Sequence, residues 1–198
     1  NACGTTNATT PITVFAPPVA DAGPDVSSCS NVASSIGSAP VGGVTYSWAP
    51  ATGLNNASIA NPTVTLSNVT GAPVDYMYVV TASTSANCFT RDTVIVTVFP
   101  LPTLAVNSPA ICIGANTNLL VTGAGVGGSY VWAPGTNLSC TNCDNPTADP
   151  ISTTSYTITG TTLQGCSSDI ASTVTVNPLP VVNAGVDLNL CDQPIPVF

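Results

Sequence analysis

An all-β chain of tandem antiparallel β-sandwiches is the fold class this sequence predicts, and three observations predict it. Apolar residues alternate with hydroxyl residues at period two in short runs rich in Val, Ile, Thr and Tyr. Gly and Pro, 16 and 18 in number, punctuate those runs roughly every 8–12 residues, the spacing of strands in a sandwich. An ordered set of motifs also occurs twice along the chain. No window carries an apolar stripe at helical spacing.

The alternation assigns faces. In Val44-Thr45-Tyr46-Ser47-Trp48 the large residues share one side and the hydroxyls the other, and Tyr130-Val131-Trp132 repeats the placement. Tyr46, Trp48, Tyr130 and Trp132 are therefore expected in the core. Tyr76-Met77-Tyr78-Val79-Val80 and Tyr156-Thr157-Ile158-Thr159 precede a loop and a cysteine. In the strand that follows the first of these, Val94, Val96 and Val98 line one face, with Thr93 and Thr97 opposite. About seven strands per sandwich are expected.

The repeat sets the domain organisation. Tyr46-Ser47-Trp48-Ala49-Pro50 returns as Tyr130-Val131-Trp132-Ala133-Pro134 (132 − 48 = 84), and Asn61-Pro62-Thr63 as Asn145-Pro146-Thr147 (145 − 61 = 84). The endings Val96-Thr97-Val98-Phe99-Pro100-Leu101-Pro102 and Val174-Thr175-Val176-Asn177-Pro178-Leu179-Pro180 correspond, as do the openings Asp21-Ala22-Gly23-Pro24-Asp25 and Asn183-Ala184-Gly185-Val186-Asp187. Residues 19–100 and 101–179 form two full repeats. Residues 1–18 read as the end of a preceding repeat and 180–198 as the start of a following one, so a segment of a longer chain is expected. The opening Asn1-Ala2-Cys3-Gly4 has neither the basic nor the apolar region of an export signal.

Six of the eight cysteines follow the same register. Each repeat has one near its start (Cys29, Cys112, Cys191) and one just before its last strand (Cys3, Cys88, Cys166). Pairing inside each repeat gives Cys29–Cys88 and Cys112–Cys166, each clamping one pole of a sandwich, with Cys3 and Cys191 bonded outside the segment. Disulfides imply an oxidising compartment. A zinc site would have to be all-cysteine at close spacing, which the wide separations do not offer. Cys140-x-x-Cys143 has the spacing of a redox motif, but its Asn/Ser/Thr loop lacks a following helix, so a structural clip is the expected role.

Charge removes further function classes. The chain has nine Asp, one base (Arg91), and no Glu, Lys or His, for a net charge of −8. Nucleic acid needs several cations along its backbone and is excluded as a partner. Anionic membrane surfaces are disfavoured for the same reason, and no apolar run approaches the ~20 residues of a membrane span. Acid–base catalysis favours His, or Glu and Lys tuned by burial, and none is present. Neither an active site nor a cofactor is expected.

The pattern AGPD…C…YSWAPATGL…NPTV…C…DTVIVTV.PLP, present in two copies over residues 19–180, resembles the immunoglobulin-like, PKD-like repeats of very large surface proteins from Bacteroidota. The resemblance implies export by the type IX secretion system, as in gliding-motility adhesins, and a non-catalytic role as spacer or stalk in an adhesin or filament at the cell surface. Partners would be neighbouring repeats of the same chain, other surface proteins or glycans. The alternatives are a carbohydrate-binding accessory module of a secreted hydrolase and a subunit of a self-assembling fibre. Semi-rigid Pro-Leu-Pro junctions would make the product an extended rod.

Remaining candidates are few. Asp21, Asp25 and Asp187 lie at repeat openings, where oxygen-rich clusters bind Ca²⁺, although Asp also caps turns, which is the simpler account of them. Asp92-Thr93-Val94 resembles an O-glycosylation motif of Bacteroidota, which implies modification at Thr93. Asn7, Asn56, Asn68 and Asn137 begin N-x-Ser/Thr triplets, which arise easily in a chain so rich in Thr and Asn.

Overall fold

A computed structural model describes residues 10–183 and residue 185 of the chain; Cys3, Asp187 and Cys191 lie outside the described residues. All secondary structure described is strand. In chain order the first six strands are β1 (Val26–Cys29), β2 (Ser34–Ser35), β3 (Val44–Ala49), β4 (Thr63–Val64), β5 (Val74–Thr84) and β6 (Phe89–Phe99). The next eight are β7 (Ala105–Val106), β8 (Ala110–Cys112), β9 (Thr117–Asn118), β10 (Val121–Thr122), β11 (Ser129–Ala133), β12 (Thr147–Ala148), β13 (Thr154–Thr161) and β14 (Ser167–Asn177).

Two sandwiches of one plan result. In the first, the main sheet runs β1-β6-β5-β3, and in the second β8-β14-β13-β11. The long hairpins β5–β6 and β13–β14 are antiparallel, whereas β1 and β8 lie parallel to the last strand of their own sheet. Short pairs form the opposite layer: β2–β4 in the first sandwich, β9–β12 and β7–β10 in the second. This is the immunoglobulin-like arrangement, with the first strand laid along the last.

Each sandwich has its own core. Period two in β6 turns Val94, Val96 and Val98 inward, where they are at most 1% exposed, and turns Thr93 out. They pack with Trp48, Tyr78, Val80, Ile36 and Val64. Trp132, Tyr156, Ile158, Val174, Leu119 and Val121 fill the second core. Burying each such aliphatic side chain contributes about 1.5–3 kcal/mol. Tyr46 and Tyr130 are half-buried against the two cores.

Both tryptophans satisfy their indole N–H. Trp48 Nε1 donates to the Ile59 carbonyl at 2.9 Å, and Trp132 Nε1 to the Cys143 carbonyl at 2.8 Å. Gly37 (φ +80°) lies against the first of these rings: a Cβ there would sit 2.9 Å from Trp48 Cζ2.

The cysteine pairing differs from the expectation. Cys29 is bonded to Cys166, not to Cys88, and Cys112 is not bonded to Cys166. The strand register gives the reason. Because β1 runs parallel to β6, Cys29 faces Phe99 at the far end of β6, while Cys88 immediately precedes Phe89 at its near end. Eleven residues of strand separate the two positions by roughly 35 Å, far beyond the ~7 Å limit on Cα separation for a disulfide. The same register, Cys112 facing Asn177, separates Cys112 from Cys166.

Candidate functional site at the junction of the two sandwiches

The two cysteines that do meet do so between sandwiches. Cys29 ends β1 at the trailing pole of the first unit, and Cys166 closes the β13–β14 hairpin at the leading pole of the second. Their Cα atoms are 5.5 Å apart, within the range of unforced disulfides. Cys29 is half-buried and Cys166 only 1% exposed. Their sequence separation is 137. In the chain-entropy account, closing a loop of that length contributes about 5 kcal/mol.

Around the bond, both poles are tied down by local hydrogen bonds. Asn68, 5% exposed, donates from Nδ2 to the Ala72 and Val98 carbonyls at 2.8 and 2.7 Å, and its Oδ1 accepts from the Thr70 amide and hydroxyl. Both Asn68 amide protons are thus held by backbone, which closes this N-x-Thr triplet to glycosylation. The Asn68 amide donates to Ser30 Oγ, the residue after Cys29. The linker Pro100-Leu101-Pro102 crosses to the second sandwich, where Ser168 Oγ donates to the Pro102 carbonyl at 2.6 Å. A cleft of about 650 Å³ lies beside the linker, lined by Ser30, Asn68 and Thr70 from one unit and Gly123, Ala124 and Gln164 from the other. No ionisable side chain lines it.

The other candidate residues lie apart from this junction. Asp21 Oδ1 accepts from the Gly23 amide at 3.0 Å, and Asp25 Oδ1 from the Ile95 amide at 2.8 Å. Both carboxylates thus cap backbone of their own sandwich, Asp25 beside the middle of β6, and among the described residues no three His, Cys, Asp or Glu side chains cluster as metal ligands. The sequence pointed to Asp92 only as part of the Asp-Thr-Val motif, not as a backbone acceptor. Its Oδ2 accepts the Ala22 amide at 2.8 Å, and this bond first, then the Thr93 amide, hold its carboxyl below the ordinary 3.8 against a slight desolvation. Thr93 is exposed beside buried Val94. Cys140 and Cys143 are disulfide-bonded to each other with Cα atoms 6.1 Å apart, and the clipped loop supplies the carbonyl that caps Trp132. Burial raises the phenols of Tyr78 and Tyr156, with smaller additions from Tyr76 and Asp149 respectively.

Chemically the junction is a covalent coupling of two folded units. A disulfide of this kind belongs to an oxidising compartment. No helix among the described residues is long and apolar enough to cross a membrane.

No known protein family matches the sequence, and no curated protein matches it. Solved structures with similar folds include DIP-gamma IG1+IG2, at 9% identity and TM-score 0.37, covering 77% of this chain and 93% of that one. The protocadherin gammaB7 EC3-6 cis-dimer is 15% identical at TM-score 0.35, with 82% of this chain matched to 47% of that one. The fibronectin(III)-like modules of Clostridium thermocellum CbhA are 9% identical at TM-score 0.34, covering 82% and 95%.

Proposed function

We propose that this chain forms spacer modules in the arm of a large secreted or cell-surface adhesive protein. The modules carry out no catalysis, and each sandwich lengthens the arm. The observation that carries this reading is the Cys29–Cys166 bond. A covalent tie between consecutive units limits bending at the Pro-Leu-Pro linker, which serves an extended structure and offers nothing to a substrate.

A surface almost without charge, in which Thr, Ser and Asn replace Lys and Glu, suits long exposure outside the cell. The resemblance to Bacteroidota surface repeats supports a bacterial surface setting with type IX export, including the gliding-adhesin type. Exposure of Thr93 next to Asp92 supports O-glycosylation there. The carbohydrate-binding alternative lacks an aromatic platform on the tryptophans, because Trp48 and Trp132 are 3% and 2% exposed. Partners are the adjoining repeats, with surface proteins or glycans engaged elsewhere on the arm.

Electron microscopy of the native parent protein tests the proposal. Thin projections with a repeat of roughly 30–40 Å per sandwich are expected, from strands of about ten residues at ~3.3 Å each. A compact particle, with the sandwiches folded back on one another, overturns the spacer reading.

A further inference from the structure

The two sandwiches present the same cysteine geometry at both poles, yet only one cysteine of each kind is bonded to the other unit. Cys29 and Cys112 are equivalent. Each ends a strand parallel to the last strand, facing Phe99 and Asn177 respectively. Each accepts through its carbonyl from the residue three further on, Val32 and Ala115, at 3.0 Å in both cases. Two residues after each comes a residue at positive φ, Asn31 (64°) and Gly114 (84°).

Cys88 and Cys166 are equivalent in the same detail. Their carbonyls accept from Thr84 and Thr162 at 3.0 and 2.8 Å, and the preceding residues, Asn87 and Gly165, have φ of 58° and 83°. Among the described residues Cys88 and Cys112 have no disulfide partner, and Cys112 is exposed.

The turn that opens the first sandwich recurs after the second. Gly185 has φ +78° and donates to Asn183 Oδ1 at 2.9 Å, reproducing Gly23 (φ +76°), which donates to Asp21 Oδ1 at 3.0 Å.

We infer that Cys29–Cys166 is one rung of a ladder. The first-strand cysteine of every repeat is bonded to the hairpin cysteine of the repeat after it. Cys112 is then bonded to the hairpin cysteine of the following repeat, and Cys88 to the first-strand cysteine of the preceding one. Cys191, by its place in the repeat, makes the same forward bond. Each rung forms by thiol–disulfide exchange with an oxidised disulfide oxidoreductase. The two thiols lose two protons and two electrons, one S–S bond forms, and the oxidant's S–S bond opens to a dithiol.

The ladder has a mechanical consequence that the spacer reading alone does not contain. Between Cys29 and Cys191 the chain runs 191 − 29 = 162 residues, spanning two repeats. A pulling force passes instead through the Cys29–Cys166 bond and then along only 191 − 166 = 25 residues before the next rung. Unfolding under load therefore releases about one-sixth of the contour length of a chain without rungs, at ~3.3–3.6 Å per residue.

Two measurements on the full-length parent protein test this. Peptide mapping without reduction, after alkylation of free thiols, should find the Cys112 peptide bonded to the hairpin cysteine of the next repeat. Stretching single molecules should give an extension about six-fold shorter before reduction than after it. The inference falls if Cys112 carries the alkyl group, if it is bonded to Cys88 or Cys166, or if reductant leaves the extension unchanged. A compact parent particle in the microscope would remove the spacer role without touching the cysteine map, so the two failures are distinct.

Discussion

The first and second sandwiches solve the same packing problems with different residues. Over the buried tryptophan, the first closes its loop by an Asx turn, with Asn56 Oδ1 accepting the Ser58 amide at 2.8 Å. The second replaces that turn with the Cys140–Cys143 disulfide. In both, the tryptophan amide donates to the middle of the loop, at Ala57 and Thr141, each at 2.8 Å. Where the first sandwich has small residues at Ala20 and Ala82, the second has Leu104 and Gly160 at the corresponding positions, and Leu104 fills the space that a Cβ on Gly160 would occupy. Asp92, which holds the Ala22 amide in the first, corresponds to Ile170 in the second. The lesson is that the indole caps and the parallel first strand define the module, while loop chemistry and the sizes of paired residues are exchangeable.

The largest effect should come from the element the two units share. Trp132→Ala and Trp48→Ala are each expected to cost about 3–5 kcal/mol, since each empties a core and removes an indole hydrogen bond. Each variant keeps one tryptophan, in the other sandwich, whose fluorescence during denaturation reports that unit alone. If the untouched unit loses stability equally, the two sandwiches fold as one cooperative body and the comparison between separate cores fails.

Next comes the exchange of sizes. Gly160→Ala places a Cβ 2.5 Å from Leu104 Cδ2 and should destabilise the second sandwich by about 1–3 kcal/mol, the usual cost of overpacking. Adding Leu104→Ala recreates the Ala20–Ala82 pair and should recover part of the loss. A double variant no better than the single one in thermal melts would show that the two positions are not coupled.

The clip should matter less. Replacing Cys140 and Cys143 with Ser is expected to cost up to about 2 kcal/mol, because the closed loop is short. Stability close to that of the unchanged chain would mean that hydrogen bonds around the loop suffice, as they do in the first sandwich.

The smallest effect is a difference in pH response. The folded pKa of Asp92 is lowered, so its contribution is present above the ordinary 3.8 and is lost as pH falls through the folded value. Hydrogen exchange at the Ala22 amide should accelerate there, relative to a neighbouring strand amide, with no counterpart in the second sandwich. Tyr78 and Tyr156 have raised values, so their contributions are complete below the ordinary 10.0 and are lost as pH rises above it, in both units alike. An acid response of equal size in the two sandwiches would remove Asp92 from the account.

Much of the core was legible because a strand's inward face follows from period two alone. Val94, Val96 and Val98, together with Trp48 and Trp132, could be placed without knowing which strands pair. The amide-capping role of Asp92 was missed because a carboxylate among outward-facing residues looks solvated, and its amide partner is 70 residues away. The motif Cys140-x-x-Cys143 is local enough for spacing to restrict its partners. The wider cysteine pairs are not, and pairing within the repeat failed on them.

What the sequence by itself determined is therefore the repeat, the faces of the strands and the tryptophan cores. What only the tertiary structure decided is where the long-range disulfide goes. Two repeats of one plan contain the same residues near their starts and ends, and neither spacing nor composition tells a bond within a unit from a bond between units. The parallel placement of the first strand along the last carries Cys29 to the far pole, away from Cys88 and beside Cys166 of the next sandwich. Strand direction, a property of the folded sheet, converts a staple inside each module into a link between modules.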